Sequence, residues 1–202
     1  MATMTYFDHA SLKLRSDKGT VIYIDPFAPG DYSEPADVIL VTHDHFDHNQ
    51  TSLVTKKAGC RTITFKEAHE GGGYGTFEAD GVKIEAVAAY NKNHKKEECV
   101  GFIVTLDNVT VYHAGDTSKI PEMAALAARK LDYALLPMDG YYNMGAPEAS
   151  ECAAMIKAKH TVPIHVVPRG PDSKGVTFSR EAADRLSCEG KLIVEAGETI
   201  TL

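Results

Sequence analysis

The sequence contains no apolar run approaching the ~18 residues of a transmembrane helix, which excludes a membrane-spanning helical protein. Residues 1–14 lack a basic segment followed by an apolar stretch, so no secretory leader is expected there. Cysteine is sparse: Cys60, Cys99, Cys152 and Cys188 are widely scattered and none forms a C-x-x-C pair. That excludes a paired-thiolate zinc site and a disulfide framework, and it points to free thiols in a reducing cytoplasm. Basic charge is also short, with 21 Lys and Arg against 28 Asp and Glu and a net charge of −7, which argues against a nucleic-acid surface. There is no linker, low-complexity tract or repeat. The run Gly71-Gly72-Gly73, with Gly75 nearby, lacks the Lys-Ser/Thr of a phosphate-binding loop and reads as a plain turn. No Gly-x-Ser-x-Gly nucleophile elbow is present. What remains is a chain of 202 residues, 44% hydrophobic and 24% charged, suited to a single globular domain over 1–202.

The first third reads as β structure, with short extended runs at 3–7, 10–15 and 20–25. The β-branched segment from Asp37 to Thr42 predicts a buried strand that ends at His43. A helix is expected over 49–58, stopped by Gly59. Strands follow at 61–64, 82–90, 100–106 and 109–113, the last two joined by a tight Asp107-Asn108 turn. The second half alternates: helix 119–130, strand Tyr133–Pro137, helix 147–158, strand Val162–Val167, helix 179–187 and strand 191–195. This order predicts a sheet core with helices outside.

The densest chemistry is His43, Asp44, His45, Phe46, Asp47, His48, read as His-x-His-x-Asp-His at the end of an apolar strand. Packing gives no reason for that concentration of imidazole and carboxylate, whereas a divalent metal requires it. His43 and His45 alternate, so both can project to one side. Asp47 and His48 follow where the chain turns, offset for a second ion. Further donors accompany other apolar strands: Asp116 follows Val111-Tyr112-His113-Ala114-Gly115, and His165 lies within the apolar strand Val162-Pro163-Ile164-His165-Val166, where an unpaired imidazole would be poorly solvated. His94 lies in a charged loop and reads either as a ligand or as a surface histidine. His69 and His160 read as ordinary surface residues. Lys92, Lys95 and Lys96 have two readings, an anion-attracting mouth or a solvated loop balanced by Glu97 and Glu98. Tyr141, Tyr142, Asn143 and Met144 line a pocket or form a plain loop, and His9 contacts substrate or supports the fold.

These segments resemble the metallo-β-lactamase superfamily, and within it the small metal-dependent hydrolases related to L-ascorbate-6-phosphate lactonase. The resemblance rests on Asp8-His9-Ala10-Ser11, Ile24-Asp25-Pro26, His43 to His48, Tyr112 to Thr117, Glu122-Met123, Leu135-Leu136-Pro137 and Pro163-Ile164-His165. It implies an α+β fold, an αββα sandwich with two central mixed β-sheets flanked by helices. It implies two divalent metal ions, zinc with manganese or iron as alternatives. His43 and His45 would bind the first, Asp47, His48 and His165 the second, with Asp116 bridging. Asp25 would orient the ligand loop from beneath. Where relatives carry the third histidine of the first metal, this chain has Ala89-Tyr90-Asn91. His94 is the choice for that role and His113 the competitor.

The implied activity is a dinuclear hydrolase in which a metal-bridging hydroxide attacks a small, anionic substrate such as a lactone, ester or phosphorylated metabolite, with Asp47 and Asp116 as catalytic carboxylates. The alternatives are a phosphodiesterase or nuclease of the tRNA-processing type and a non-hydrolytic di-iron redox protein. The expected partner is a small-molecule substrate in the cytoplasm, without nucleic acid or membrane, and self-association is compatible with the sequence.

Overall fold

The computed structural model describes residues 1–167 and 178–202. Twelve strands are present among them: β1 Thr3–Asp8, β2 Ser11–Arg15, β3 Val21–Ile24, β4 Ala36–Val41, β5 Lys56–Thr64, β6 Thr76–Ala79, β7 Val82–Ala88, β8 Val100–Leu106, β9 Val109–His113, β10 Tyr133–Pro137, β11 His160–Ile164 and β12 Thr199–Thr201. The described helices are α1 Phe65–Ala68, α2 Ala146–Ile156 and α3 Arg180–Asp184, with 3-10 turns at Thr51–Leu53 and Pro121–Arg129. The strands form two six-stranded sheets, in the orders β12-β1-β2-β3-β4-β5 and β11-β10-β9-β8-β7-β6. Both are mixed: β3, β4 and β5 run parallel in the first, and β9, β10 and β11 in the second.

Alternation along the strands builds the layers. Ile22, Ile24, Val38 and Leu40 face Phe102, Val104, Val111, Leu135 and Val162 in the core between the sheets. Their sequence neighbours Val21, Tyr23, Ile39 and Val41 face outward and pack with Ala28, Tyr32 and Val54. On the outer side of the second sheet, Ile103, Tyr112, Ala134 and Leu136 are covered by Met123 and Leu126 and by Ala149, Cys152 and Ile156 of α2. The fold is thus the expected α+β sandwich, with two mixed sheets and few helices.

Several local expectations change. The helix expected over 49–58 is a 3-10 turn at Thr51–Leu53 followed by β5, which pairs in parallel with β4 through Val38 and Arg61, Leu40 and Ile63. Residues 56–64 carry no apolar face at helical spacing, and backbone pairing to the edge of β4 decides their state. The 119–130 segment is 3-10 rather than α. Its buried side chains, Met123 and Leu126, are three apart, which a three-residue turn places on one side. The strand expected at 191–195 reduces to a bridge between Thr161 and Lys191, while the short strand that closes the sheet against β1 is β12. Asp107 and Asn108 both take positive φ, 49° and 66°, as a primed two-residue hairpin turn demands.

The sheets are tied together at one edge. Val100 N donates to Thr42 O at 3.0 Å, and His43 bridges Cys99. Gly115 makes this approach possible: it has φ +64°, and a Cβ there would stand 2.7 Å from Val100 O and 3.1 Å from Thr42 Cβ. Gly115→Ala therefore combines a strained φ with a clash at the seam. It is predicted to lower unfolding stability by about 1–3 kcal/mol, read by urea denaturation of the metal-free chain.

Candidate metal centre

Six strands deliver their C-terminal ends to that same edge. β3 ends at Asp25, β4 leads into His43–His48, β7 into the loop bearing His94, β9 into Asp116, β10 into Asp139 and β11 into His165. Polar side chains beyond strand ends escape the apolar layers yet are held by a rigid scaffold. His9 joins them from the turn between β1 and β2.

Two overlapping groups of donors result. In the first, His43 Nε2 and His94 Nε2 lie 3.1 and 3.2 Å from His45 Nδ1. In the second, the Asp116 carboxylate stands 3.6 Å from His48 Nε2 and 3.7 Å from His165 Nε2. Asp116 also reaches the first group, 3.6 Å from His94 Nε2. Asp47 lies beside His48 and His165, within one ligand-sized cluster that includes His9. Donors on a tetrahedral ion with ~2.1 Å bonds stand ~3.4 Å apart, so these spacings suit shared cations.

The proton inventory supports the same conclusion. Thr42 Oγ1 donates to Asp25 Oδ2 at 2.6 Å and so accepts from His43 Nδ1, 3.0 Å away. His48 Nδ1 donates to Asp25 Oδ2 at 2.8 Å, and His94 Nδ1 to Asn91 Oδ1 at 2.9 Å. His165 Nδ1 faces Asp139 Oδ2 at 2.9 Å. The Nδ1 protons of His43, His48 and His94 are directed away from the cluster, so their rings, when neutral, turn Nε2 lone pairs to it, whereas His165 Nδ1, though close to Asp139, is left without a hydrogen bond. His45 Nδ1 has at most one proton for two facing lone pairs, so at least one of its contacts sets lone pair against lone pair unless a cation lies between. His48 Nε2 and Asp116 Oδ1 are buried without a hydrogen-bond partner, a costly condition that a metal relieves.

Burial and charge divide the imidazoles. Burial holds His43 well below the usual imidazole range, and it lowers His94 as well. Burial also opposes charge on His48, but the carboxylates of Asp116 and Asp25 outweigh it and raise the pKa to about 9. Asp116 is held well below the carboxylate range: burial opposes this, and His165 and His48 outweigh it. A cation held there would compete for the His48 Nε2 lone pair and take the place of its proton.

Backbone strain is concentrated here. His9, Asp25 and His165 have φ of 56°, 46° and 48°, a left-handed region that non-glycine residues occupy at a cost of about 1–3 kcal/mol each. β11 consequently stops at Ile164, and His165 lies just past the strand rather than within it.

The Beta-lactamase superfamily domain family matches residues 3–165. The chain belongs to the metallo-β-lactamase superfamily. Within that superfamily it also belongs to the UPF0173 metal-dependent hydrolase family. It is 31% identical to the UPF0173 metal-dependent hydrolase of Pyrococcus furiosus, over 82% of this chain and 84% of that one. It is 30% identical to the Pyrococcus horikoshii relative over 100% of both chains. A crystal structure described as a metal-dependent hydrolase of Parabacteroides distasonis superposes with TM-score 0.76 at 32% identity, covering 95% of this chain and 92% of that chain. The metallo hydrolase Igni18 of Ignicoccus hospitalis shares the fold at TM-score 0.71 and 24% identity, covering 99% and 98%.

In this superfamily member the candidates His43, His45, Asp47, His48, His94, Asp116 and His165 all converge. His113 does not: Nε2 donates to Ala10 O at 2.9 Å and Nδ1 accepts from Gly115 N at 3.2 Å, so both nitrogens serve the backbone. His69 and His160 stand away from the cluster, against the rings of Tyr74 and Tyr133. Two contributors escape sequence reasoning. Asp139 faces His165 Nδ1 and also accepts the backbone N–H groups of Tyr141, Tyr142 and Asn143 at 2.6, 2.6 and 3.2 Å. His9, already noted without a settled role, places Nε2 3.1 Å from Asp47 Oδ2. Asp139 follows an apolar strand end as Asp116 does, which is the signal that would have found it.

A cleft of about 440 Å³ opens over the cluster, lined by Asp44, His45, Phe46, Asp47, Asn93, His94, Tyr142 and His165. Phe46, in its lining, is 69% exposed. The rim is rigid: Asp139 holds the Tyr141–Asn143 turn, and Asn91 and Asn93 side chains donate to Tyr142 O at 3.2 and 2.9 Å. Lys95 and Lys96 are engaged by Glu98 and Glu122 at 3.0 and 2.6 Å, which favours the solvated-loop reading for both.

Asp25 carries both Thr42 and His48 through its two oxygens. Asp25→Asn replaces one acceptor with a donor and leaves His48 unoriented. The variant is expected to bind zinc about 10–100-fold more weakly, measured by competition with a chromophoric chelator.

Proposed function

We propose that this chain is a dinuclear hydrolase. His43, His45 and His94 would hold one divalent ion, and Asp47, His48 and His165 the other, with Asp116 shared between them. Zinc suits this imidazole-rich set, with manganese or iron as alternatives. The observation that carries the reading is the convergence of imidazole nitrogens around a buried carboxylate, with the Nδ1 of His43, His48 and His94 directed to acceptors outside the cluster.

Two such ions supply Lewis acidity and a water whose pKa is lowered towards ~7. The protein does the rest. His9 pins Asp47 Oδ2, leaving Oδ1 to accept a hydrogen bond from the attacking water. Asp116, ionised and buried, holds the two halves in register. His45 and Asp44 face solvent at the cleft, where substrate enters. Phe46 and Tyr142 offer apolar contact to the part of the substrate that does not react. No Lys or Arg is present among the described residues of this cleft, so an anionic group on the substrate would be met by the ions themselves. The proposed substrates are small lactones, esters or phosphorylated metabolites, and the resemblance of the sequence motifs to those of L-ascorbate-6-phosphate lactonase makes phosphorylated lactones the first compounds to try. A phosphodiesterase reading is tested in the same experiment.

The test is hydrolysis of a panel of lactones, carboxyl esters, phosphomonoesters and phosphodiesters by purified protein, before and after chelation. Chelation should abolish turnover, and about two equivalents of zinc or manganese should restore it. His43→Ala should lower kcat by on the order of 10³-fold. Turnover undiminished by complete metal removal would sink the reading.

A further inference from the structure

We infer that His9 is a positioning residue for the second half of the metal centre, fixing Asp47 by its side chain and His165 by both its backbone and its ring. The inference rests on the dinuclear reading above and adds a residue outside the proposed ligand set.

Three contacts made by this one residue carry it. His9 Nε2 stands 3.1 Å from Asp47 Oδ2. His9 O accepts the backbone N–H of His165 at 2.6 Å. The His9 ring lies on that of His165 with centroids 3.6 Å apart and planes tilted by 39°. Asp47 comes from the first sheet's ligand loop and His165 from the end of the second sheet, so His9 joins donors that the chain itself leaves far apart.

The residue is in turn held in place. Asp8 Oδ1 accepts the His9 N–H at 2.6 Å, and Tyr6 Oη donates to His9 O at 3.0 Å. Its φ of 56° is left-handed, so the turn is kept in a conformation that a histidine does not adopt freely. The side chain is fully buried, leaving no room for another rotamer.

Packing alone does not explain a histidine here. His9 Nδ1 is buried without a hydrogen-bond partner, and an apolar side chain of similar size would fill the space without that penalty. What the apolar side chain lacks is the Nε2–H that a carboxylate can accept. His9 falls within the donor group of Asp47, His48 and His165; with its proton on Nε2, facing Asp47 Oδ2, it positions that carboxylate and offers an ion no lone pair. A carboxylate with one oxygen pinned has lost most of its rotational freedom, and its other oxygen is presented in a fixed direction.

The experiment compares full-length wild type, His9→Leu and His9→Gln, each stripped of metal and titrated with zinc against a chromophoric chelator. Circular dichroism thermal midpoints of the metal-free chains are recorded alongside. Wild type should take two ions per chain. His9→Leu should keep the tighter ion and bind the second about 10–100-fold more weakly. His9→Gln, which keeps an amide donor, should recover much of that affinity. His9→Leu binding both ions as wild type does would overturn the inference. Equal weakening of both ions by Leu and Gln, together with a lowered metal-free midpoint, would also overturn it by assigning His9 a purely structural role. If His9→Leu does not fold, His9→Gln and His9→Met provide the same comparison of donor against no donor. A wild-type chain that takes fewer than two ions would instead overturn the dinuclear reading itself, an outcome visible before any variant is measured.

Discussion

The Asp116 carboxylate is buried at the junction of two sheets, 3.6 Å from nitrogens of both His48 and His94 and 3.7 Å from one of His165. Those distances are too long for hydrogen bonds, and the neutral His94 ring turns a lone pair towards the carboxylate, its Nδ1 being directed to Asn91. Buried negative charge is unfavourable unless positive charge lies beside it, which a proton on His48 supplies in the metal-free chain and a bound cation would supply in its place. The surrounding structure serves this arrangement. Asp25, Asn91 and Thr42 each take up the far nitrogen of one imidazole, and that fixes which nitrogen looks inward, while Asp139 stands beside the far nitrogen of His165.

The fold provides the rigidity that such a cluster needs. Six strand ends converge at one edge, and the two sheets are locked there by the Thr42–Val100 bond and by His113, which reaches from β9 to Ala10 of the first sheet. Gly115 lets the seam close, and three residues of the site remain in left-handed conformations that the locked scaffold enforces. The energy stored at these positions is small against the core between the sheets, so the scaffold can sustain it.

Much of this was legible in the sequence because the ligands punctuate strand ends. His43 to His48 follow a β-branched run and Asp116 follows another apolar strand, so hydrophobic pattern and donor chemistry change at the same residues, while His165 stands out as an imidazole inside an apolar run and proves to lie just past its strand. The parts that were not legible depend on contacts between distant segments. β5 is a strand because β4 offers an unpaired edge, not because residues 56–64 alternate. Asp139 follows a strand end as Asp116 does, but its place beside His165 and the pairing of His9 with Asp47 are invisible locally, since each depends on a partner from another sheet or strand. The choice between His94 and His113 turned on where two nitrogens point, which spacing does not encode. His113 looked like a donor because it precedes Asp116, yet its ring is fully used as a tie between the sheets.

The central claim is that this donor set holds two cations sharing Asp116. Anomalous diffraction from crystals of the zinc-loaded protein, collected above and below the zinc absorption edge, tests it most directly. The account predicts two peaks ~3.5–4 Å apart, one among His43, His45 and His94 and the other among Asp47, His48 and His165, with Asp116 between them. A single peak, or peaks that leave Asp116 without a metal, would contradict it.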